Sequence, residues 1–77
     1  MSPRLPRVSA IEIIKVLEKI GFNLAGQSGS HKIYKNEAGK RVTVPYHGTE
    51  ILKPKTLKSI LHDAGLTVAE LIDLLDS

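Results

Sequence analysis

The sequence predicts an α+β fold with its elements in the order α-β-β-β-α-α, a three-stranded antiparallel meander carrying its helices on one face. Three observations predict it. Three stretches, one before residue 21 and two after residue 53, space their apolar side chains three and four apart, the period of a helix packed along one side. Between them lie three short runs of strand character, separated by turns rich in glycine, serine and asparagine. Capping boxes and stop glycines mark the helix ends.

Residues 1–8, with two prolines and two arginines, read as an extended lead-in or short edge segment outside the core. Ser9-Ala10-Ile11-Glu12 is a capping box, in which the serine hydroxyl and the glutamate carboxylate each satisfy a backbone N–H that the first helical turn leaves free. The first helix is expected from Ala10 to Ile20, with a stripe of Ala10, Ile13, Ile14, Leu17 and Ile20 widened by Ile11 and Val16, and Gly21 as its left-handed terminator. A first strand follows from Phe22 to Gln27, and Gly26 and Gly29 bracket a tight connection to a second strand, His31 to Lys35.

Strict alternation puts His31 on the face of Ile33, the residue expected to be buried. His31 therefore belongs at the sheet's rim, or a bulge at Gly29 re-aims it. Asn36-Glu37-Ala38-Gly39 reads as a hairpin turn, and Arg41 to Val44 as a third strand with Val42 and Val44 on one face, ended by Pro45. After an irregular stretch, a helix opens at Pro54, buries Leu57, Ile60, Leu61 and Ala64, and stops at Gly65. Thr67 and Glu70 form a second capping box, heading a last helix to Leu75. Its stripe of Val68, Leu71, Ile72 and Leu75 is expected to complete the core rather than dock a partner.

The chain has 77 residues, 42% of them hydrophobic, which suits one domain over residues 1–77. A domain of this size buries only roughly 60–65% of its unfolded surface, so its stability should be modest. The absence of cysteine excludes disulfides and thiolate metal sites, and His31, His47 and His62 lack the spacing of a zinc motif, so neither a metal nor another cofactor is expected. No apolar run approaches the roughly 18 residues that span a bilayer, and the start lacks a signal peptide's apolar stretch, so a cytoplasmic protein is expected. The net charge is +3. Its distribution is more telling: Lys32, Lys35, Lys40, Arg41, Lys53, Lys55 and Lys58 face only Glu37 and Glu50 in the same interval. That balance suits nucleic acid, although a solvated cationic surface has the same composition.

The stretch with most chemistry is Gly29-Ser30-His31-Lys32, followed by Tyr34 and Lys35. RNA cleavage asks little of a protein, because the 2′-hydroxyl is a built-in nucleophile beside the scissile phosphate. The protein has to move protons and offset charge building on phosphate oxygens. Imidazole titrates nearest neutral pH and serves as acid or base. Lysines and the amides of a Gly-Ser bend supply the electrostatic part. His31 is the candidate catalytic group, with Ser30, Lys32, Lys35, Lys55 and Lys58 as candidate RNA contacts. The plainer alternative for His31 is a strand-start histidine, exposed or bonded to backbone. His47 is either a second proton-transfer group or a loop-capping residue, and Tyr34 and Tyr46 either stack on bases or edge the core.

Four blocks in order resemble the HicA family, the mRNA-cleaving toxins of bacterial toxin–antitoxin pairs. These are Leu17, Ile20, Gly21 and Phe22; then Gly29-Ser30-His31 with Tyr34; then Val42-Thr43-Val44-Pro45-Tyr46-His47; then Thr56-Leu57-Lys58-Ser59-Ile60-Leu61 with Ala64-Gly65-Leu66. The resemblance implies an α-β-β-β-α fold like that of double-stranded-RNA-binding domains, here with a short extra C-terminal helix. It also implies endoribonuclease activity on mRNA with His31 as the essential group, and neutralisation by a HicB-like antitoxin. Lys55 stands where the family usually has glycine before Thr-Leu. The rival from another class is a non-catalytic RNA-binding module of the same fold, which binds RNA in a salt-sensitive way and never cuts it.

Overall fold

The computed structural model describes residues 4–77; the first three residues of the lead-in lie outside the described residues. Its elements are α1 (Ala10–Lys19), β1 (Asn23–Ser28), β2 (His31–Lys35), β3 (Arg41–Pro45), α2 (Pro54–Ala64) and α3 (Val68–Asp76). The strands form one antiparallel sheet in the order β1-β2-β3. The α+β, α-β-β-β-α-α order expected from the sequence is thus the observed one, with boundaries that differ by a residue or two.

α1 begins as its capping box dictates. The Ser9 hydroxyl accepts from the Glu12 N–H at 3.2 Å, and Glu12 Oε1 accepts from the Ser9 N–H at 3.0 Å. Its end is a Schellman motif: the Phe22 N–H reaches the Leu17 carbonyl at 2.9 Å and the Gly21 N–H reaches Glu18 at 3.2 Å. The motif requires a left-handed residue, supplied by Gly21 at φ +95°. A matching pair of bonds, Leu66 to Leu61 and Gly65 to His62, closes α2. Ser9→Ala is expected to cost about 1 kcal/mol, because it removes the hydroxyl acceptor of the box. Thermal denaturation should show this as a fall in Tm of about 4–8 °C.

The lead-in differs from expectation. Val8 is fully buried, Leu5 packs against the core, and the Leu52 N–H donates to the Val8 carbonyl at 2.8 Å. Together with the bridge between Ser9 and Ile51, this ties the lead-in to the segment before α2. Two prolines keep the segment extended, and an extended chain that finds a neighbouring backbone edge pairs with it.

The core joins Ile13, Val16 and Leu17 of α1 with Phe22, Tyr34, Val42, Val44, Leu57, Ile60 and Leu71. Burial, reinforced by the nearby charges of Glu18 and Tyr46, raises the Tyr34 phenol above its ordinary value and keeps it neutral. α3 lies against α1: Leu71 is fully buried, and Lys19 Nζ donates to the Leu74 and Ser77 carbonyls, both at 2.8 Å. The last helix therefore completes the core as expected, but through Val68, Leu71, Leu74 and Leu75, with Leu74 in the place expected for Ile72, and a cation sits at its carbonyl end, where the helix dipole favours one. Among the described residues no helix is long and apolar enough to cross a membrane.

The capping box of α3 also gives a pH dependence. The Thr67 N–H donates to Glu70 Oε1 at 2.9 Å, and this bond first, with the Thr67 side chain second, lowers the Glu70 carboxyl below its ordinary value. A carboxyl whose folded-state pKa is depressed contributes stability above its unfolded value, and that contribution is lost as pH falls through the folded value. Stability measured by urea unfolding is expected to drop on acidification below about pH 4.5. Part of that drop should vanish in Glu70→Gln, whose amide still completes the box.

Candidate functional site

The sheet register decides where each chemistry-bearing side chain goes. Tyr34 pairs with Val42 and Lys32 with Val44, so Lys32 and Tyr34 share the face that packs on the helices. His31, Ile33 and Lys35 point to the other face. Tyr34, not Ile33, is the buried residue of β2: Tyr34 is 3% exposed, while Ile33 is half-buried on the open side. The tension between an exposed His31 and a buried Ile33 disappears, because Ile33 is not in the core. A bulge does occur, but at Ala25 in β1, where the register steps from Leu24–Tyr34 to Gly26–Ile33.

His31 opens β2 directly after the hairpin loop Gly29-Ser30, with Ser28 and His31 as the closing pair. Gly29 adopts φ +59° and Ser30 does not share the positive sign, the pattern of a II′ turn with glycine first. Two further bonds brace the loop. Gln27 Nε2 donates to the Gly29 carbonyl at 3.2 Å, and the Tyr46 N–H donates to the Ser30 carbonyl at 2.6 Å. The result is a rigid bend that places an exposed imidazole at the end of the open face. None of the side-chain hydrogen bonds among the described residues engages His31. Its ring is therefore available to a ligand from water.

The other candidates are not all brought to it. Ser30 is exposed beside it in the turn. Lys32 lies on the opposite face, with Nζ 3.9 Å from the centroid of the Tyr46 ring, so its charge is held in a cation–π contact near the start of the central strand. Lys35 is exposed on the same face as His31, four residues on, which is about 13 Å along a strand. Lys55 and Lys58 are exposed on α2, a separate surface, and His62 is exposed in that helix's last turn.

Pro45, the β3 partner of His31, connects the strand end to a cleft of about 370 Å³. His47, Glu50, Lys53 and Thr56 line it. The Glu50 N–H donates to the His47 carbonyl at 3.2 Å, so the His47 backbone is part of a turn, and its exposed side chain borders a cleft beside the His31 strand pair. A second groove, about 490 Å³, runs between the lead-in and the start of α2, and no sheet residue lines it. Among the described residues no group of three or more histidine, aspartate and glutamate side chains is arranged to hold a metal.

The sequence reading gave Arg41 no site role, although it pairs with Lys35 on the open face. The signal was present in the alternation of β3: once Val42 and Val44 are inward, Arg41 and Thr43 are outward.

No curated protein matches the chain closely enough to count as a relative. A family model, described as the HicA toxin of bacterial toxin–antitoxin systems, matches residues 11–66, running from the first turn of α1 through the three strands to the end of α2 and leaving α3 outside. The helix-strand framework and its order therefore agree with that match, and the chain belongs to the HicA toxin family, as the toxin of a bacterial toxin–antitoxin pair with an antitoxin as its partner.

Proposed function

We propose that this toxin is an endoribonuclease that cuts mRNA, with His31 as its proton-transfer group, and that a HicB-like antitoxin neutralises it. The observation that carries the reading is His31 itself: an exposed imidazole with no side-chain hydrogen bond among the described residues, held on a braced II′ turn, in a chain of the HicA family. Exposure alone also fits a plain strand-start histidine; the family match is what favours catalysis.

The chemistry follows from what the substrate brings. The 2′-hydroxyl attacks the adjacent phosphorus, its proton must leave, and the departing ribose oxygen must gain one. A single imidazole at the junction performs one of these transfers and leaves the other to water or to a neighbouring group. Ser30, beside His31 in the bend, and Lys35, farther along the same face, supply a hydroxyl and a positive charge for the phosphates, while Lys32, Lys55 and Lys58 contribute to the field that draws RNA in. Charge-assisted contacts to phosphate are roughly twice as strong as neutral ones.

The test is purified protein on an end-labelled RNA. Fragments that accumulate with time support the reading. RNA that is retained at low salt but never cut overturns it in favour of a binding module. Co-expression with a HicB-like protein encoded next to the toxin should abolish the cleavage.

A further inference from the structure

All eight Asp and Glu residues lie in helices or loops, and none lies in a strand. The strands themselves therefore carry no carboxylate; Glu37 stands in the turn that joins Lys35 to Arg41. The helices leave one side of the sheet open: His31, Lys35, Arg41 and Thr43 are all exposed there, and Ile33 is half-buried. Lys35 and Arg41 are cross-strand partners, which puts two cations side by side at the end opposite His31. In the middle row, Gly26, Ile33 and Thr43 pair across the three strands. A Cβ built on Gly26 would meet nothing within 4 Å, so the space over this row is open, with an apolar side chain at its centre.

We infer that a single-stranded segment of RNA crosses this open sheet face, its backbone held by Lys35 and Arg41 at one end and its scissile phosphate at His31 at the other. The inference rests on the RNA-cutting reading above and adds to it the path of the substrate. The two ends are about 13 Å apart along β2, room for a short run of nucleotides rather than a long duplex. A flat face with an apolar centre suits unstacked bases. An A-form duplex keeps its base faces stacked and presents mainly phosphates, 2′-hydroxyls and base edges, so it offers no base face to an apolar centre. Lys32, which is engaged with Tyr46 on the other face, takes no part in this path.

The experiment uses the full chain with His31→Ala, so that bound RNA stays intact, and reads fluorescence anisotropy of a labelled single-stranded RNA across a salt series. Lys35→Ala with Arg41→Ala is compared with Arg4→Ala and Lys15→Ala, which remove the same charge from exposed positions off this face. The face pair is expected to raise Kd about tenfold or more, and to flatten the slope of log K against log salt by roughly 1.4, at about 0.7 per phosphate contact on a single strand. The control pair should shift Kd much less.

Equal shifts in the two pairs overturn the path while leaving the nuclease intact, provided that the chain with His31 restored still cuts RNA. Unchanged RNA affinity with lost antitoxin binding makes the face a protein surface, and also overturns it. A wild-type chain that neither binds nor cuts RNA removes the nuclease reading, and the path with it. Circular dichroism on each variant confirms folding, which four exposed positions should not disturb.

Discussion

Replacing His31 by alanine is expected to leave the protein folded and to lower RNA cleavage about 10²–10⁴-fold, the usual contribution of one general acid or base. The fold should be indifferent because the ring is exposed and makes no hydrogen bond among the described residues. A substitution of that kind changes stability by no more than about 0.5 kcal/mol. The two measurements belong together: a melt that matches wild type, and single-turnover cleavage of a labelled RNA that falls. The loss should appear in the rate at saturating RNA, with affinity little changed, because a proton-transfer group acts in the transition state. A phosphate-contacting histidine would show the reverse, weaker binding and an unchanged saturated rate. Wild-type cleavage by the folded variant would remove His31 from the chemistry. In cells, overproduction of the wild-type toxin without its antitoxin should arrest growth, and the alanine variant should not.

The largest effect on stability is expected from Phe22→Ala. Phe22 is the bulkiest of the fully buried side chains, 1% exposed, and the sole phenylalanine in a chain with no tryptophan. Its backbone also closes the Schellman motif of α1, so the side chain enters the core immediately where the helix ends. Removing it deletes the transferred apolar surface and leaves a cavity, together about 3–5 kcal/mol. Small domains have a total stability of about 0.05–0.15 kcal/mol per residue, so a loss of that size takes a large share of it. Chemical denaturation should show a midpoint moved far toward zero denaturant, or a chain already unfolded at 25 °C. Phe22→Leu, which keeps most of the volume, should be much milder, at about 1.5 kcal/mol or less. If Phe22→Ala unfolds at the wild-type midpoint, Phe22 is not the centre of this core.

The two predictions separate the scaffold from the surface it carries, and the sequence spoke to them unequally. Helix starts and stops were readable to within a residue or two, because each is set by contacts inside one turn: Ser9 with Glu12, Thr67 with Glu70, Gly21 and Gly65 in left-handed conformations. The hairpin at Asn36–Gly39 was readable for the same reason, with Asn36 Oδ1 accepting from the Lys40 N–H at 2.9 Å and Gly39 at φ +83°. The lead-in was misjudged because nothing within residues 4–8 announces the pairing of Val8 with Leu52, more than forty positions away. The bulge at Ala25 was equally silent, since its cause is the register against β2 rather than any residue inside β1.

What the amino-acid order alone determined was the kind and sequence of the elements, the bend that carries His31, and the concentration of positive charge between residues 32 and 58. Each is local or compositional, and needs no knowledge of distant neighbours. What only the tertiary structure decided was facing. The run His31-Lys32-Ile33-Tyr34-Lys35 has an apolar residue at both parities, so either side of β2 could have been the buried one. Pairing with Val42 and Val44, and the cover of the helices over that side, selected Tyr34 for the core and Lys32 for Tyr46. The same choice left His31, Lys35 and Arg41 together in water, because a strand that buries one face must present the other.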